Sequence, residues 1–173
     1  MATQQAVRLR SATADDRFLI RRWLSDPQVQ SWWGTAASAE AEVTLALAST
    51  AALPRIIERD GIPIGYAHAV ETGLWAKAPP EGVPAGAWDV NYFVASAEGD
   101  DAGIGSAVLA LLTEEVFATT LAVACSGLVS IRNEAAARAY ERAGFRWLHV
   151  LQDPLLGPSW LMLKERPGPP QAR

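Results

Sequence analysis

Asn133-Glu-Ala-Ala-Ala-Arg-Ala-Tyr-Glu-Arg-Ala-Gly-Phe145 is the most informative stretch of this sequence. Asparagine is a preferred helix N-cap, and glycine is the usual residue just past a helix end, so the stretch predicts a helix over residues 133–143. The alanine-lined face of this helix carries a single tyrosine, Tyr140. A strand is predicted to begin directly afterwards, at Phe145. The segment therefore predicts a helix-strand unit that holds one phenol in a defined place.

A glycine-rich turn, Gly103-Ile104-Gly105-Ser106, precedes another predicted helix over residues 105–117. Backbone amides at a helix N-terminus point at an anion, and the helix dipole adds partial positive charge there. The turn therefore predicts a phosphate site, with a plain helix start as the alternative. The acids Glu98, Asp100 and Asp101 precede it, and the turn itself contains no Lys or Arg. We thus expect anion binding to rest on the backbone amides and the dipole.

Hydrophobic periodicity along the chain predicts a mixed sheet flanked by helices, an α/β (α+β) fold. The predicted order is β-α-α-α-β-β-β-α-β-α-β-β. Strands are expected over residues 7–10, 55–58, 62–70, 88–95, 121–125, 145–151 and 159–163, and the three early helices up to Asp26, up to Trp33 and over 38–49. Residues 1–166 are predicted to form one domain, and residues 167–173, rich in proline and glycine, a disordered tail.

The composition excludes several kinds of site and partner. The single cysteine, Cys125, rules out an internal disulfide, and the two histidines, His68 and His149, lie too far apart in sequence to favour a structural zinc. A net charge of -4 argues against a nucleic-acid partner and agrees with a small cationic substrate. No apolar run suits a membrane span, and the N-terminus lacks a secretory signal, so a cytoplasmic setting is expected. Both a monomer and a homodimer are compatible with the sequence.

Two motifs resemble those of the GCN5-related N-acetyltransferase (GNAT) superfamily. Its members carry Asn-x-x-Ala-x-x-x-Tyr-x-x-x-Gly-Phe, a pattern that this chain matches in full with Asn133, Ala136, Tyr140, Gly144 and Phe145. They also carry Gln/Arg-x-x-Gly-x-Gly/Ala, which here reads Asp100-Asp-Ala-Gly-Ile-Gly105, with both glycines in place and the first position changed. The resemblance implies a GNAT fold and an enzyme that transfers an acetyl group from acetyl-CoA to an amine without a metal.

The resemblance also implies which residues hold the cofactor. The expected set is Phe93, Val94, Ala95, Gly103, Ile104, Gly105, Ser106, Asn133, Ala136 and Tyr140. Main-chain amides of residues 93–95 would polarise the thioester carbonyl in a sheet that splays apart there. Asn133 would bond to the pantetheine arm while it caps its helix. Tyr140 would protonate the departing thiolate, because a phenol and a thiol have similar basicity, with a core tyrosine as the alternative.

Within the superfamily, the chain resembles the aminoglycoside 6'-N-acetyltransferases. The similarity lies in Asp26-Pro-Gln-Val-Gln-Ser-Trp-Trp-Gly34, Ile64-Gly-Tyr-Ala67 and Tyr140-Glu-Arg-Ala-Gly-Phe145. It implies direct attack of a primary amine on acetyl-CoA in a ternary complex, and antibiotic resistance through loss of a cation needed to bind ribosomal RNA. Siderophore-type lysine acyltransferases have a similar layout. Another amine acceptor (a siderophore precursor, a polyamine or a protein N-terminus) and a non-catalytic acyl-CoA-binding domain therefore remain alternatives.

The acids of the acceptor site follow from the same resemblance. Asp89 matches the acid on the fourth strand of the aminoglycoside enzymes, where it would take a proton from the amine or bind its ammonium form. The spacing to Gly103 would instead place Asn91 there, and both side chains lie on one strand face. Those enzymes tend to have another acid five residues before the Asn, where this chain has Leu128. Asp89 or two further acids, Glu71 and Glu81, are the candidates to replace its charge.

Tryptophans are candidates for the walls of the acceptor site. An indole stacks on a sugar ring and attracts ammonium groups through its π face. Of the neighbours Trp32 and Trp33, we expect one to line the site and the other to lie in the core. Trp75 and Trp88 flank a loop rich in proline and glycine and are expected to form the opposite wall.

Tyr66 and His68 alternate on the third strand, share one face and complete the predicted substrate site. His68 is a conceivable base because its ordinary pKa lies near neutrality, although a lone histidine in a strand is more often structural. Cys125 lies in an apolar run and is expected to be an inert core residue. No role is assigned to His149.

Overall fold

A computed structural model describes residues 6–74, 78–95 and 103–169 of the chain. Seven strands form one sheet in the order β1-β2-β3-β4-β5-β7-β6. The strands are β1 Val7–Ser11, β2 Ala52–Arg59, β3 Ile62–Glu71, β4 Trp88–Val94, β5 Ala124–Ser130, β6 Arg146–Asp153 and β7 Gly157–Glu165; the helices are α1 Arg17–Leu24, α2 Pro27–Trp33, α3 Ala36–Ala48, α4 Ile104–Thr119 and α5 Glu134–Arg142. The predicted element order and mixed sheet are confirmed, because β4 and β5 are parallel and the other neighbouring strands antiparallel.

Helices cover the two faces of the sheet and bury a core on each. The stripe predicted on α4 is fully buried at Val108, Leu109, Leu112 and Val116 and packs with α5 on one face. The first three helices cover the other face through a separate cluster that includes Ile20, Leu24, Val29, Trp33 and Val43. In the described part of the chain, no helix combines the length and apolar character that a bilayer span requires.

The sheet separates between β4 and β5. β4 pairs with β3 along its whole length, from Trp88 to Val94. Its pairing with β5, in contrast, comprises Trp88 with Cys125 and Asp89 with Ser126. Beyond Asp89 the outer edge of β4 faces a gap, where side chains replace a strand as partners: Tyr140 donates to the Val90 carbonyl oxygen and Trp33 to that of Tyr92.

Both ends of α5 are fixed by the residues that the sequence motif specifies. The Asn133 side chain accepts a hydrogen bond from the Ala136 amide at 3.2 Å, which confirms its capping role. At the other end, the amides of Phe145 and Gly144 donate to the carbonyl oxygens of Tyr140 and Glu141, each at 3.0 Å. This is a Schellman motif, and Gly144 has the positive φ of 96° that it requires.

The predicted bounds of β5 were wrong. The apolar run from Leu121 to Cys125 predicted the strand, but it spans Ala124–Ser130, and Leu121 is 95% exposed. The start of that run instead follows the end of α4. There the Arg166 guanidinium donates to the carbonyl oxygens of Phe117, Thr120 and Ala122. These bonds satisfy groups that a helix C-terminus leaves unpaired.

Candidate active site

The gap between β4 and β5 opens into a cavity of about 630 Å³, here called the gap cavity. Its walls come from α2, β4, β5, α5 and the N-terminus of α4. All ten predicted cofactor-binding residues line it: Phe93, Val94, Ala95, Gly103, Ile104, Gly105, Ser106, Asn133, Ala136 and Tyr140. The fold therefore brings the glycine turn and the tyrosine helix to one opening, although about thirty residues separate them in sequence.

The two glycines of the turn serve different purposes. Gly103 has a φ of 123°, a backbone conformation that residues with a Cβ rarely adopt, and it precedes the first residue of α4. At Gly105, an added Cβ would overlap the Tyr92 hydroxyl and lie 3.1 Å from Ala139 Cβ. Gly105 thus permits α4 to pack closely on β4 and α5, a reason different from the approach of a phosphate. The acids predicted to oppose phosphate, at 98, 100 and 101, lie outside the described residues.

Tyr140 is held rigidly at the inner end of the gap cavity. It is 2% exposed, and its hydroxyl donates to the Val90 carbonyl oxygen at 2.7 Å. Its ring meets Phe145 edge to face at 5.0 Å between centroids, and a Cβ at Gly127 would overlap it. Burial, together with the charge of Asp89, raises the pKa of Tyr140 well above its ordinary value. The phenol therefore keeps its proton at neutral pH.

The strand register decides which amides of β4 face the gap. The Ala95 amide donates to the Ile64 carbonyl oxygen at 2.7 Å, so Ala95 and, by antiparallel alternation, Phe93 direct their N–H groups towards β3. Tyr92 and Val94 direct theirs towards the gap. The Tyr92 amide donates to Asn91 Oδ1 at 2.9 Å. Of the predicted set 93–95, Val94 is thus the residue whose amide is oriented to polarise a carbonyl group.

A second cavity of about 390 Å³, here called the side cavity, adjoins the gap cavity. The two share five lining residues: Trp32, Trp33, Asn91, Leu128 and Leu156. The side cavity carries three carboxylates, from Glu42 on α3, Asp89 on β4 and Asp153 at the end of β6. A space next to the gap that is lined by acids and indoles suits a cationic acceptor.

The acids of the side cavity are held partly out of water. Burial raises the pKa of Asp89 to about 7, and the charge of Glu42 adds to this rise. The hydrogen bond from Ser126 Oγ, at 3.2 Å, opposes it. Burial and the charge of Asp153 raise the pKa of Glu42. Among the described residues, Glu42 has no hydrogen bond or ion pair. A bound cation would relieve this repulsion between like charges.

Several residues of the predicted substrate site lie where expected. Trp33 is 7% exposed and packs in the core, whereas Trp32 is 38% exposed; both line the two cavities. His68 lines the side cavity, but burial lowers its pKa to about 4, so it is neutral at physiological pH. Asp89 and Asn91 both reach the side cavity, and Asn91 also reaches the other.

Other predicted residues do not reach the site. Tyr66 is fully buried, lines neither cavity, and its hydroxyl is hydrogen-bonded to His68 Nδ1 at 3.0 Å, so its predicted contact with substrate was wrong. Trp88 is buried in the core with residues of α4 and lines neither of the two cavities within the described ranges. The acids Glu71 and Glu81, candidates to replace the charge missing at Leu128, are exposed and line neither of the two cavities. Trp75 lies outside the described residues.

Comparison with known proteins decides the family. The model of the Acetyltransferase (GNAT) domain family matches residues 12–152, most of the chain. The chain belongs to this family. It is thus an acyltransferase with acetyl-CoA as the acetyl donor, as the sequence predicted.

Named relatives and a solved structure are similar to this chain over most of its length. The chain is 28% identical to aminoglycoside N(6')-acetyltransferase type 1 of Klebsiella pneumoniae and of Serratia marcescens, over 95% of this chain and 85% of each relative. Among solved structures, it is similar to aminoglycoside acetyltransferase AAC(6')-Ib in complex with coenzyme A and kanamycin. That match has a TM-score of 0.77 and 25% identity, and covers 93% of this chain and 95% of the other.

Two features of the gap cavity suit acetyl-CoA. The N-terminus of α4 offers backbone amides and a dipole to a pyrophosphate, and the open edge of β4 suits an extended thiol arm. Two cations that the motifs do not indicate, Arg138 and Arg142 of α5, line the same cavity. Their i, i+4 spacing, which places them on one helix face, was the available signal. Phosphate binding therefore need not rest on backbone amides alone.

Glu42 and Asp153 were missed for a different reason. Glu42 lies within an alanine-rich helix and Asp153 at a strand end, more than a hundred residues apart in sequence. Neither position carries a motif, and packing of α3 against the sheet brings both to one cavity. Leu128, at the position where the resemblance implies an acid, lines both cavities as an apolar wall.

Proposed function

We propose that this enzyme acetylates the 6'-amine of an aminoglycoside antibiotic by direct attack in a ternary complex with acetyl-CoA. One observation supports this acceptor above the others: the side cavity combines Glu42, Asp89 and Asp153 with the indoles of Trp32 and Trp33, directly beside the gap cavity. Several carboxylates match a substrate with several ammonium groups, and flat aromatic faces match its sugar rings. The relatives named for aminoglycoside 6'-acetylation agree with this choice.

Three groups of the chain share the chemistry. Asp89 binds the ammonium form of the acceptor and takes up its proton, a task suited to a carboxyl whose pKa is raised to about 7. The Val94 amide stabilises negative charge on the thioester carbonyl oxygen. Tyr140 keeps its proton at neutral pH and delivers it to the departing thiolate. The bound acetyl-CoA supplies the activated acetyl group.

Direct transfer to the amine requires no acyl-enzyme. Cys125, the sole thiol of the chain, is fully buried, and burial raises its pKa to about 12. Across the described ranges it lines neither cavity. A thiol that is protonated and sealed in the core is a poor nucleophile.

Acetylation converts an ammonium group into a neutral amide. Because aminoglycosides bind ribosomal RNA through their cations, the loss of one weakens the drug and confers resistance. The enzyme would act in the cytoplasm, where acetyl-CoA and ribosomes are present. We assign this activity to one domain over residues 1–166, with residues 167–173 as a tail.

Thiol release with a matched pair of acceptors tests the proposal. Neomycin and paromomycin differ by an amine in place of a hydroxyl at the 6' carbon, so neomycin is expected to support turnover and paromomycin only binding or much slower turnover. Mass spectrometry of the product should show one added acetyl group on the 6'-bearing ring. Equal turnover of both drugs would contradict the 6' assignment. Turnover with a polyamine, a siderophore precursor or a peptide N-terminus, but with neither drug, would contradict the acceptor class.

A further inference from the structure

Asn91 lies where the two cavities meet. It is one of the five residues that line both, and the others are the two indoles, Trp32 and Trp33, and the apolar Leu128 and Leu156. The indole nitrogen of Trp33 already donates to the Tyr92 carbonyl oxygen at 3.1 Å. At a junction lined by rings and aliphatic groups, the carboxamide of Asn91 is a conspicuous polar group.

The orientation of this carboxamide follows from its one hydrogen bond. Asn91 accepts from the Tyr92 amide at 2.9 Å, and only the oxygen of a carboxamide can accept. The Nδ2 group, with two N–H donors, therefore points away from that amide. None of the hydrogen bonds in the described part of the chain uses Nδ2 as a donor. No side-chain nitrogen there is both buried and unpartnered, so Nδ2 is accessible, in a side chain that lines both cavities.

A group that can only donate selects an oxygen and not an ammonium. Asp89 precedes Asn91 by two residues on the same strand face, which places their side chains roughly 7 Å apart. If Asp89 holds the amine, the atom that the amine attacks lies near Asn91. The attacked atom is the thioester carbon, and the oxygen that it carries is the carbonyl oxygen of the acetyl group.

We propose that Asn91 is a catalytic residue whose Nδ2 group donates a hydrogen bond to the acetyl carbonyl oxygen at the junction of the two cavities. Together with the Val94 amide, it stabilises the negative charge that develops on this oxygen while the C–N bond forms, and releases it when the C–S bond breaks. Asn91 neither gains nor loses a proton. Its own oxygen stays bonded to the Tyr92 amide, which fixes the donor in place.

This role differs from the alternative in which Asn91 binds the acceptor amine. The inference rests on acetyl transfer from acetyl-CoA and does not depend on the aminoglycoside as acceptor. It therefore has a test without any acceptor: the infrared carbonyl band of acetyl-CoA labelled with carbon-13 at the carbonyl and bound to the enzyme. A hydrogen bond to the oxygen lowers the band frequency relative to free acetyl-CoA.

Two variants complete the experiment. In Asn91→Ala and in the isosteric Asn91→Asp, the band should move back towards its free position and kcat should fall about 100-fold, the usual effect of losing one such donor. Both variants should bind coenzyme A, which has no acetyl group, as tightly as the wild type. This binding also reports correct folding.

Either of two results would overturn the proposal. One is an unchanged carbonyl band in Asn91→Ala. The other is an Asn91→Asp enzyme that retains kcat and has a lower KM for the amine, because a carboxylate would then improve an ammonium site. Failure of neomycin as an acceptor would leave the spectroscopic result intact and would contradict only the acceptor assignment.

Discussion

The Tyr140 hydroxyl donates a hydrogen bond to the carbonyl oxygen of Val90, with 2.7 Å between the two oxygens. Val90 is the first residue of β4 beyond the last pairing with β5, so the phenol spans the point where the sheet opens. The bond fixes the ring at the inner end of the gap cavity. The hydroxyl proton can rotate from the carbonyl to another acceptor in the cavity without movement of the ring. This arrangement links the splay of the sheet to the proposed proton donor.

Replacement of Tyr140 by Phe should lower kcat about 100-fold or more, because the thiolate would lose its proton donor. The unfolding free energy should fall by about 1 to 3 kcal/mol, since the buried Val90 carbonyl loses its partner. Steady-state kinetics and urea unfolding measure the two effects separately. Coenzyme A binding by calorimetry should stay close to wild type. A variant with unchanged kcat would show that Tyr140 has only a structural role.

The pH dependence of kcat/KM should follow the ionisation of Asp89. Its pKa in the folded enzyme is raised to about 7, and a charged carboxylate is needed to bind the amine, so kcat/KM for the acceptor should rise as the pH increases through about 7. The Asp89→Asn variant should lose this limb together with most of its activity. Persistence of the same limb in the variant would assign the titration to another group.

The same pKa predicts an effect on stability. Between pH 3.8, which is the ordinary pKa of this carboxyl group, and about pH 7, Asp89 binds more protons in the folded protein than in the unfolded protein. The unfolding free energy of the wild type should therefore fall as the pH rises through this window, and the fall should be smaller in Asp89→Asn. Thermal unfolding from pH 4 to 8 measures the difference between the two proteins. Parallel curves would contradict the assignment.

Glu42 should determine affinity for polycationic acceptors. Glu42→Gln is expected to raise KM for an aminoglycoside about tenfold, equivalent to ~1.4 kcal/mol, with little change in kcat. The KM of this variant for acetyl-CoA should not change, because Glu42 lines the side cavity and not the gap cavity. Glu40→Gln is the matched control, since Glu40 lies on the same helix, pairs with Arg21 and lines neither cavity within the described residues. Equal effects of both substitutions would indicate loss of general negative charge.

Substitutions at Asn133 can distinguish its role in helix capping from a role in cofactor binding. Asn133→Ala should destabilise the protein by about 1 kcal/mol, because the Ala136 amide loses its acceptor. Asn133→Ser should restore most of this stability, since serine also caps helices. If the carboxamide contacts the pantetheine arm as well, both variants should bind coenzyme A several-fold more weakly. Wild-type affinity in Asn133→Ser would limit the residue to capping.

Features fixed by local chemistry could be predicted from the sequence. The N-cap at Asn133, the Schellman end at Gly144 and the turn at Gly103 each depend on the preferences of one or two residues, and all three stand where the motifs place them. Leu121 shows the limit of such reasoning. An apolar residue next to a strand is predicted to belong to that strand. Leu121 is exposed instead, because it lies in the connection that follows α4.

Side chains that meet only through tertiary packing could not be predicted in this way. Tyr66 and His68 share a strand face and both pack against Trp33, yet of the two only His68 lines the side cavity. Their difference depends on where α2 lies over the sheet, which neither residue reveals. Glu42 likewise lies at the site through tertiary packing. The position of α3, and not the sequence around Glu42, brings it to the cavity.

Arg142 should strengthen cofactor binding through the phosphates. It lies in the last turn of α5 and lines the gap cavity. Arg142→Gln is expected to weaken coenzyme A binding about tenfold at low ionic strength, and the difference should shrink as salt is added, because ions screen the attraction. Acetyl-pantetheine, which lacks the phosphates, should react equally well with both enzymes. The control is Arg146→Gln, since Arg146 pairs with Glu165 on β7 and lies at neither cavity in the described structure. An equal loss of reactivity with acetyl-pantetheine would mean that Arg142 supports α5 and does not bind phosphate.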